Sequence, residues 1–237
     1  MKVLSIGNSF SQDAQRYLHE IAKKEGVDMK TVNLYIGGCP LRTHYLNMLE
    51  DKEAYAFEFN GQKTGLEVTM SQVLKSDDWD VITLQQLSGK SGRIETYTPY
   101  IEELRDYAKT YCPHAKIYLH ETWAYEDGSE RMKSMSYGTA ENMYNALHDA
   151  YLKAKDLIDA DKIIPAGTAM IRAEKAGLKM HRDTCHASHG VGRYLIALTW
   201  FRALTGKDIT ENTFSDLDEA ITEEERKIVI DAVNSCF

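Results

Sequence analysis

Residues 1–11 read Met1-Lys2-Val3-Leu4-Ser5-Ile6-Gly7-Asn8-Ser9-Phe10-Ser11, and this stretch decides the fold. Val3, Leu4 and Ile6 form a short apolar run that breaks at Gly7, and a helix-length segment follows over Asp13–Glu25. So short a run reads as a first strand rather than as the apolar core of a signal peptide. The same unit then recurs. Further strands are predicted at Thr31–Ile36, Asp80–Leu84, Lys116–His120 and Lys162–Ile164. Most are continuous runs of Val, Ile, Leu and Tyr, as strands covered on both faces should be. Helices are predicted between them at Leu41–Asp51, Pro99–Tyr111 and Thr139–Ala160, and after them at Gly190–Leu204 and Glu223–Val233. Alternating strands and helices of this kind specify a parallel sheet with helices on its faces. One segment departs from the rhythm. Ala54–Asn60 and Leu66–Thr69 flank the turn-forming run Gly61–Gly65 and read as a small inserted hairpin.

The bulk properties narrow the function. At 237 residues the chain suits one α/β domain, and no repeat, linker or low-complexity tract divides it. A charge of −8, from 28 basic against 36 acidic residues, is the wrong sign for a protein that binds nucleic acid or anionic lipid. No stretch approaches the length of a membrane span. Cys39, Cys112, Cys185 and Cys236 include no closely spaced pair, so a zinc ribbon or redox motif is not supported, and reduced thiols in a cytoplasmic protein are expected.

Ser9 stands where the first strand gives way to a helix, at the carboxyl edge of the sheet where α/β sites form. Backbone N–H groups of the incoming helix favour negative charge developing there. A serine here also commonly caps a helix. The second chemical feature is Asp183-Thr184-Cys185-His186, on a loop ahead of an apolar helix. An aspartate three residues before a histidine can orient the imidazole and balance its charge, which a serine nucleophile requires. The bland alternative is that Asp183 or Ser188 caps that helix.

Taken together, Ser9 and Asp183–His186 on this βα pattern resemble the SGNH (GDSL-type) hydrolase family over nearly the whole chain. Gly7-Asn8-Ser9-Phe10 is similar to the family's first block, with Asn8 where Asp is usual. Gly37-Gly38-Cys39 is similar to the second, whose glycine supplies an oxyanion N–H, with Gly38 favoured over Gly37. Asp183–His186 matches the DxxH of the fifth block. The third block differs: the family's G-x-N-D is replaced by Gln85-Gln86-Leu87-Ser88, so its oxyanion amide is assigned to Gln86, with Gln85 the alternative. The Gln-bearing version looks most like a bacterial branch of the superfamily.

The resemblance implies a three-layer α/β/α, flavodoxin-like domain with a mostly parallel five-stranded sheet. It implies Ser9 as nucleophile, His186 as base and Asp183 as its orienting partner, with Ser9 and Gly38 N–H groups and the Gln86 amide in the oxyanion hole. No cofactor or metal is required. Gln85 and Trp123 are candidate substrate contacts, because Trp123 and Tyr125 follow the fourth strand, where aromatic rings stack on sugars or line acyl pockets. The expected substrate is a small-molecule or oligosaccharide ester carrying a short acyl group, with no nucleic-acid or membrane partner. A non-catalytic glycan-binding module, a lipase or thioesterase, and an amidase are the competing readings.

Two other motifs fail. Gly89-Lys90-Ser91 suggests a phosphate-binding loop, but the glycine required five residues earlier is Leu84. His181, Asp183, Cys185, His186 and His189 crowd together as metal ligands do, but no second ligand cluster accompanies them.

Overall fold

The computed structural model describes all 237 residues. Five parallel strands form the centre of the sheet: β1 (Lys2–Gly7), β2 (Lys30–Tyr35), β5 (Val81–Leu84), β6 (Lys116–His120) and β7 (Lys162–Ile164). Their order, β2-β1-β5-β6-β7, is the flavodoxin arrangement, so the chain reverses its direction of winding between β1 and β5. Ser9 follows β1 directly, beside that switch point.

The predicted hairpin exists but does not stand apart from the sheet. β3 (Tyr55–Phe59) pairs antiparallel with β2, and β4 (Gln62–Val68) pairs with β3, extending the sheet to seven strands. Its turn is Asn60-Gly61, with φ of 48° and 75°, rather than the whole of Gly61–Gly65. Asn-Gly supplies the two left-handed residues that a tight two-residue hairpin turn demands. Lys63, Thr64 and Gly65 therefore belong to β4, where the register shifts opposite Phe57 and Glu58.

The helices cover both faces. The predicted Asp13–Glu25 helix is two helices, α1 (Ser9–Gln15) and α2 (Leu18–Lys24), which pack on α9 (Val191–Thr205). So do α8 (Ala166–Lys175) and α10 (Glu223–Asn234). A second group, α3 (Leu41–Leu49), α4 (Met70–Lys75) and α7 (Ala140–Ile158), gathers on α5 (Tyr100–Tyr111). The short α6 (Glu130–Lys133) lies in the loop after β6. α9 buries Leu195, Ile196, Ala197, Leu198, Trp200 and Phe201 on all its sides, which explains its lack of an amphipathic stripe. None of the helices is long and apolar enough to cross a membrane.

One ion pair fixes the first helix against the distant loop that holds Asp183. Asp13, on α1, is completely buried, and both its oxygens lie 2.9 Å from an Arg182 guanidinium nitrogen. Arg193, at the start of α9, donates to it from Nε at 2.8 Å and to Asp218 from Nη1 at 2.6 Å. Asp13→Asn leaves Arg182 without a carboxylate partner. Uncoupling a buried charge of this kind costs about 3–5 kcal/mol. A fall in Tm on the order of 10 °C is expected by thermal melting; an unchanged Tm would show that water replaces the carboxylate.

Candidate active site

The sharp turn from β1 into α1 sets the first component. A Cβ at Gly7 would lie 2.2 Å from Ser11 Oγ, so only glycine allows the helix to begin so close to the strand. Asn8, not Ser9, caps α1: its Oδ1 accepts from Phe10 N–H at 3.0 Å. Ser9 is the first helical residue, half-buried, and its hydroxyl is free of capping duty.

The second component arrives from far along the chain. His186 Nε2 stands 2.9 Å from Ser9 Oγ, although the two residues are 177 positions apart. Asp183 Oδ2 accepts from His186 Nδ1 at 2.8 Å, while its Oδ1 accepts from the N–H groups of Cys185 and His186, each at 2.8 Å. Partial burial works to raise the Asp183 pKa, but the His186 and Cys185 N–H bonds and the His186 ring outweigh it. Its carboxyl is held well below the usual carboxylate range, and it faces His186 as an anion. A carboxylate there requires the Nδ1–H tautomer, which leaves Nε2 to accept the Ser9 proton. Ser188 Oγ takes the capping role weighed for this loop, accepting from Gly192 N–H at 2.9 Å.

The loop that carries Asp183 and His186 lies in a cradle formed after β6. Trp123 Nε1 donates to Cys185 O at 2.8 Å, His181 Nε2 to Ala124 O at 3.0 Å, and Glu126 N–H to Thr184 O at 3.1 Å. Trp123 also stacks on Phe10, with ring centroids 3.9 Å apart, and Phe10 meets His186 edge-on at 6.0 Å. Trp123 thus touches both halves of the site but is wholly buried. The expectation that it contacts substrate is corrected: the ring supports the loop and has no face left for a sugar.

The third-block glutamines also need correction. Gln86 is buried, and its amide nitrogen donates to Thr96 O at 2.9 Å and to Thr96 Oγ1 at 3.1 Å. Its oxygen accepts from the N–H groups of Leu41 and Leu87. With both ends engaged it ties three loops together and cannot serve as the oxyanion amide. Gln85 is buried as well: its Nε2 donates to Asn8 Oδ1 at 2.9 Å, and its Oε1 accepts from His120 Nδ1 at 3.1 Å. It is neither a substrate contact nor the replacement donor.

This buried chain explains Asn8. The Asn8 amide donates to Cys39 O at 3.1 Å, linking the α1 cap to the loop after β2. A carboxylate at residue 8 would present acceptors to that carbonyl. His120 is fully buried, which pushes its pKa down to about 3 and keeps it a neutral donor to Gln85. His120, Gln85 and Asn8 therefore tie the carboxyl ends of β6, β5 and β1 together.

Two backbone donors remain for an oxyanion. The Ser9 N–H has no acceptor at the start of α1, and the Gly38 N–H donates to no protein group. Gly38 has a φ of 60°, which glycine adopts without strain. The Asp13, Arg182 and Arg193 ion pair and the Asn8–Gln85–His120 chain escaped the sequence reading. Their only trace is a polar residue at positions 13, 85 and 120, where a buried element should be apolar.

The triad reaches solvent: the side chains of His186 and Asp183 are 27% and 51% exposed.

Residues 2–234 match the model of a family described as a domain of unknown function (DUF4886). Among solved structures, a DUF4886 family protein from Bacteroides uniformis ATCC 8492 is 37% identical, with a TM-score of 0.93 over 100% of this chain and 94% of that one. A member of the lipolytic protein G-D-S-L family from Veillonella parvula DSM 2008 shares the fold at 15% identity, with a TM-score of 0.55 over 86% and 98%. A carbohydrate esterase family 3 protein from Talaromyces cellulolyticus does so at 10% identity, with a TM-score of 0.57 over 87% and 97%. No curated protein matches the sequence.

Proposed function

The chain belongs to the DUF4886 family and has the SGNH hydrolase fold, and on that footing we propose that it is a serine esterase acting through an acyl-enzyme on Ser9. One observation carries the reading: the continuous hydrogen-bonded series Ser9 Oγ, His186 Nε2, His186 Nδ1, Asp183 Oδ2. Ser9 Oγ attacks the ester carbonyl as its proton passes to His186 Nε2, and Asp183 balances the imidazolium. The Ser9 and Gly38 N–H groups receive the negative charge on the carbonyl oxygen. His186 then gives the proton to the departing alcohol and, in the second half, takes one from the water that releases the acid.

The exposure of His186 and Asp183 to solvent supports a short acyl group, acetyl above all, because a long chain needs apolar surroundings to leave water. The same exposure suits a bulky alcohol such as a sugar, in keeping with the carbohydrate esterase that shares the fold. Buried Trp123 takes no part in that preference.

A fluorophosphonate probe should label the wild type covalently and leave Ser9→Ala unlabelled. On p-nitrophenyl esters, kcat/KM should fall as the acyl chain lengthens from acetyl. Equal labelling of Ser9→Ala would remove Ser9 from the mechanism, and rates that rise with chain length would remove the acetyl preference.

A further inference from the structure

Cys185 takes no part in the proposed hydrolysis, yet its thiol lies against the base. Its Sγ is 3.4 Å from His186 Nδ1, and Nδ1 is 2.8 Å from Asp183 Oδ2. The three donor atoms lie within 4.8 Å of one another. We propose that Asp183, Cys185 and His186 form a three-donor site for a thiophilic divalent cation, zinc or cadmium, whose binding turns the triad off.

The donor set is the one such a cation selects: one sulfur, one imidazole nitrogen and one carboxylate oxygen. Ligand atoms around a tetrahedral zinc ion stand about 3.4–3.6 Å apart, given metal–ligand bonds of about 2.0–2.3 Å. The Sγ–Nδ1 separation already meets this, and Oδ2 must retreat from Nδ1 by only a few tenths of an ångström. Asp183 Oδ1 holds its two N–H partners throughout, so the loop keeps its shape. Cys185 Sγ is buried, but Asp183 is about half exposed at its side chain, so the cation enters from the carboxylate side and keeps a solvent molecule in its fourth position.

Binding would silence the base through its tautomer. In the active arrangement Nδ1 carries the proton and Nε2 carries the lone pair that faces Ser9. A cation takes the Nδ1 lone pair, so the ring proton moves to Nε2, which no longer accepts from Ser9. The Cys185 thiol loses its proton to solvent, and one proton is released per cation bound.

The switching half of this proposal rests on the esterase reading; the binding half does not, so the test reads them separately. Cobalt(II) added to metal-free wild type should produce an intense near-ultraviolet thiolate-to-cobalt band. Neither Cys185→Ser nor Cys185→Ala should produce it, although Cys39, Cys112 and Cys236 remain. In parallel, zinc should suppress p-nitrophenyl acetate hydrolysis and a chelator should restore it. Measured against its own metal-free rate, Cys185→Ser should need at least about tenfold more zinc for the same fractional inhibition. No band in the wild type, or the same band in both cysteine variants, would overturn the site. A band that depends on Cys185, with zinc leaving hydrolysis untouched, would overturn the switch. If no ester is hydrolysed even without metal, the esterase reading fails while the cobalt spectrum still decides the site.

Discussion

Ser9→Ala is expected to lower kcat for p-nitrophenyl acetate by at least about 10³-fold, and by as much as about 10⁶-fold. His186→Ala should cost about as much, and the double variant no more than either. The reason lies in the single hydrogen bond of 2.9 Å between Ser9 Oγ and His186 Nε2. A serine hydroxyl without its base is a poor nucleophile, and a base without a nucleophile has nothing to activate, so each loss removes the same step. What survives comes from the Ser9 and Gly38 N–H groups, which still polarise the carbonyl for attack by water. Because Asn8 performs the capping, Ser9→Ala removes no helix-stabilising bond, and the variant should melt with the wild type. Equal rates in all the proteins would bring a non-catalytic glycan-binding module to the front.

Asp183→Asn should lower kcat by on the order of 10⁴-fold, with little change in KM. The substitution is nearly isosteric, and the asparagine oxygen can still accept from the N–H groups of Cys185 and His186, as Asp183 Oδ1 does. Its NH₂ group then faces His186 Nδ1. A donor in that place forces Nδ1 to accept, which puts the ring proton on Nε2 and points it at Ser9. The base is present, correctly placed and in the wrong tautomer. Steady-state kinetics alongside a thermal melt will separate this from unfolding, since the loop geometry is retained. A loss of tenfold or less would mean that Asp183 only anchors the loop.

The parts of this molecule that were legible in the sequence share a physical cause. Strands covered on both faces leave unbroken apolar runs, and Lys116–His120 and Lys162–Ile164 fall on their predicted bounds. Chemistry that depends on fixed local spacing is legible for the same reason: Asp183 and His186 are three residues apart, and Ser9 lies two residues after Gly7, a glycine that the tight turn needs. Gln86 was misread because its role depends on distant partners. An amide at a strand end looks the same on paper whether it faces solvent, an oxyanion or Thr96. Trp123 was misread similarly, since an aromatic residue after a strand is as good a prop as a platform. The break between α1 and α2 has no proline or glycine to announce it. The hairpin's Asn60-Gly61 turn was written in the sequence and obscured by the second glycine at residue 65.

The ion pair of Asp13 with Arg182 and Arg193 joins a helix made at the start of the chain to a loop made near its end. During synthesis, the nucleophile's helix is complete long before its base exists. The nascent protein therefore carries Ser9 with no partner until His186 has been made, and Asp13 waits until residue 193. Only then does Asp13 find both of its guanidinium groups. Every translation product that stops short of residue 193 lacks at least one of the counter-charges against which Asp13 is buried.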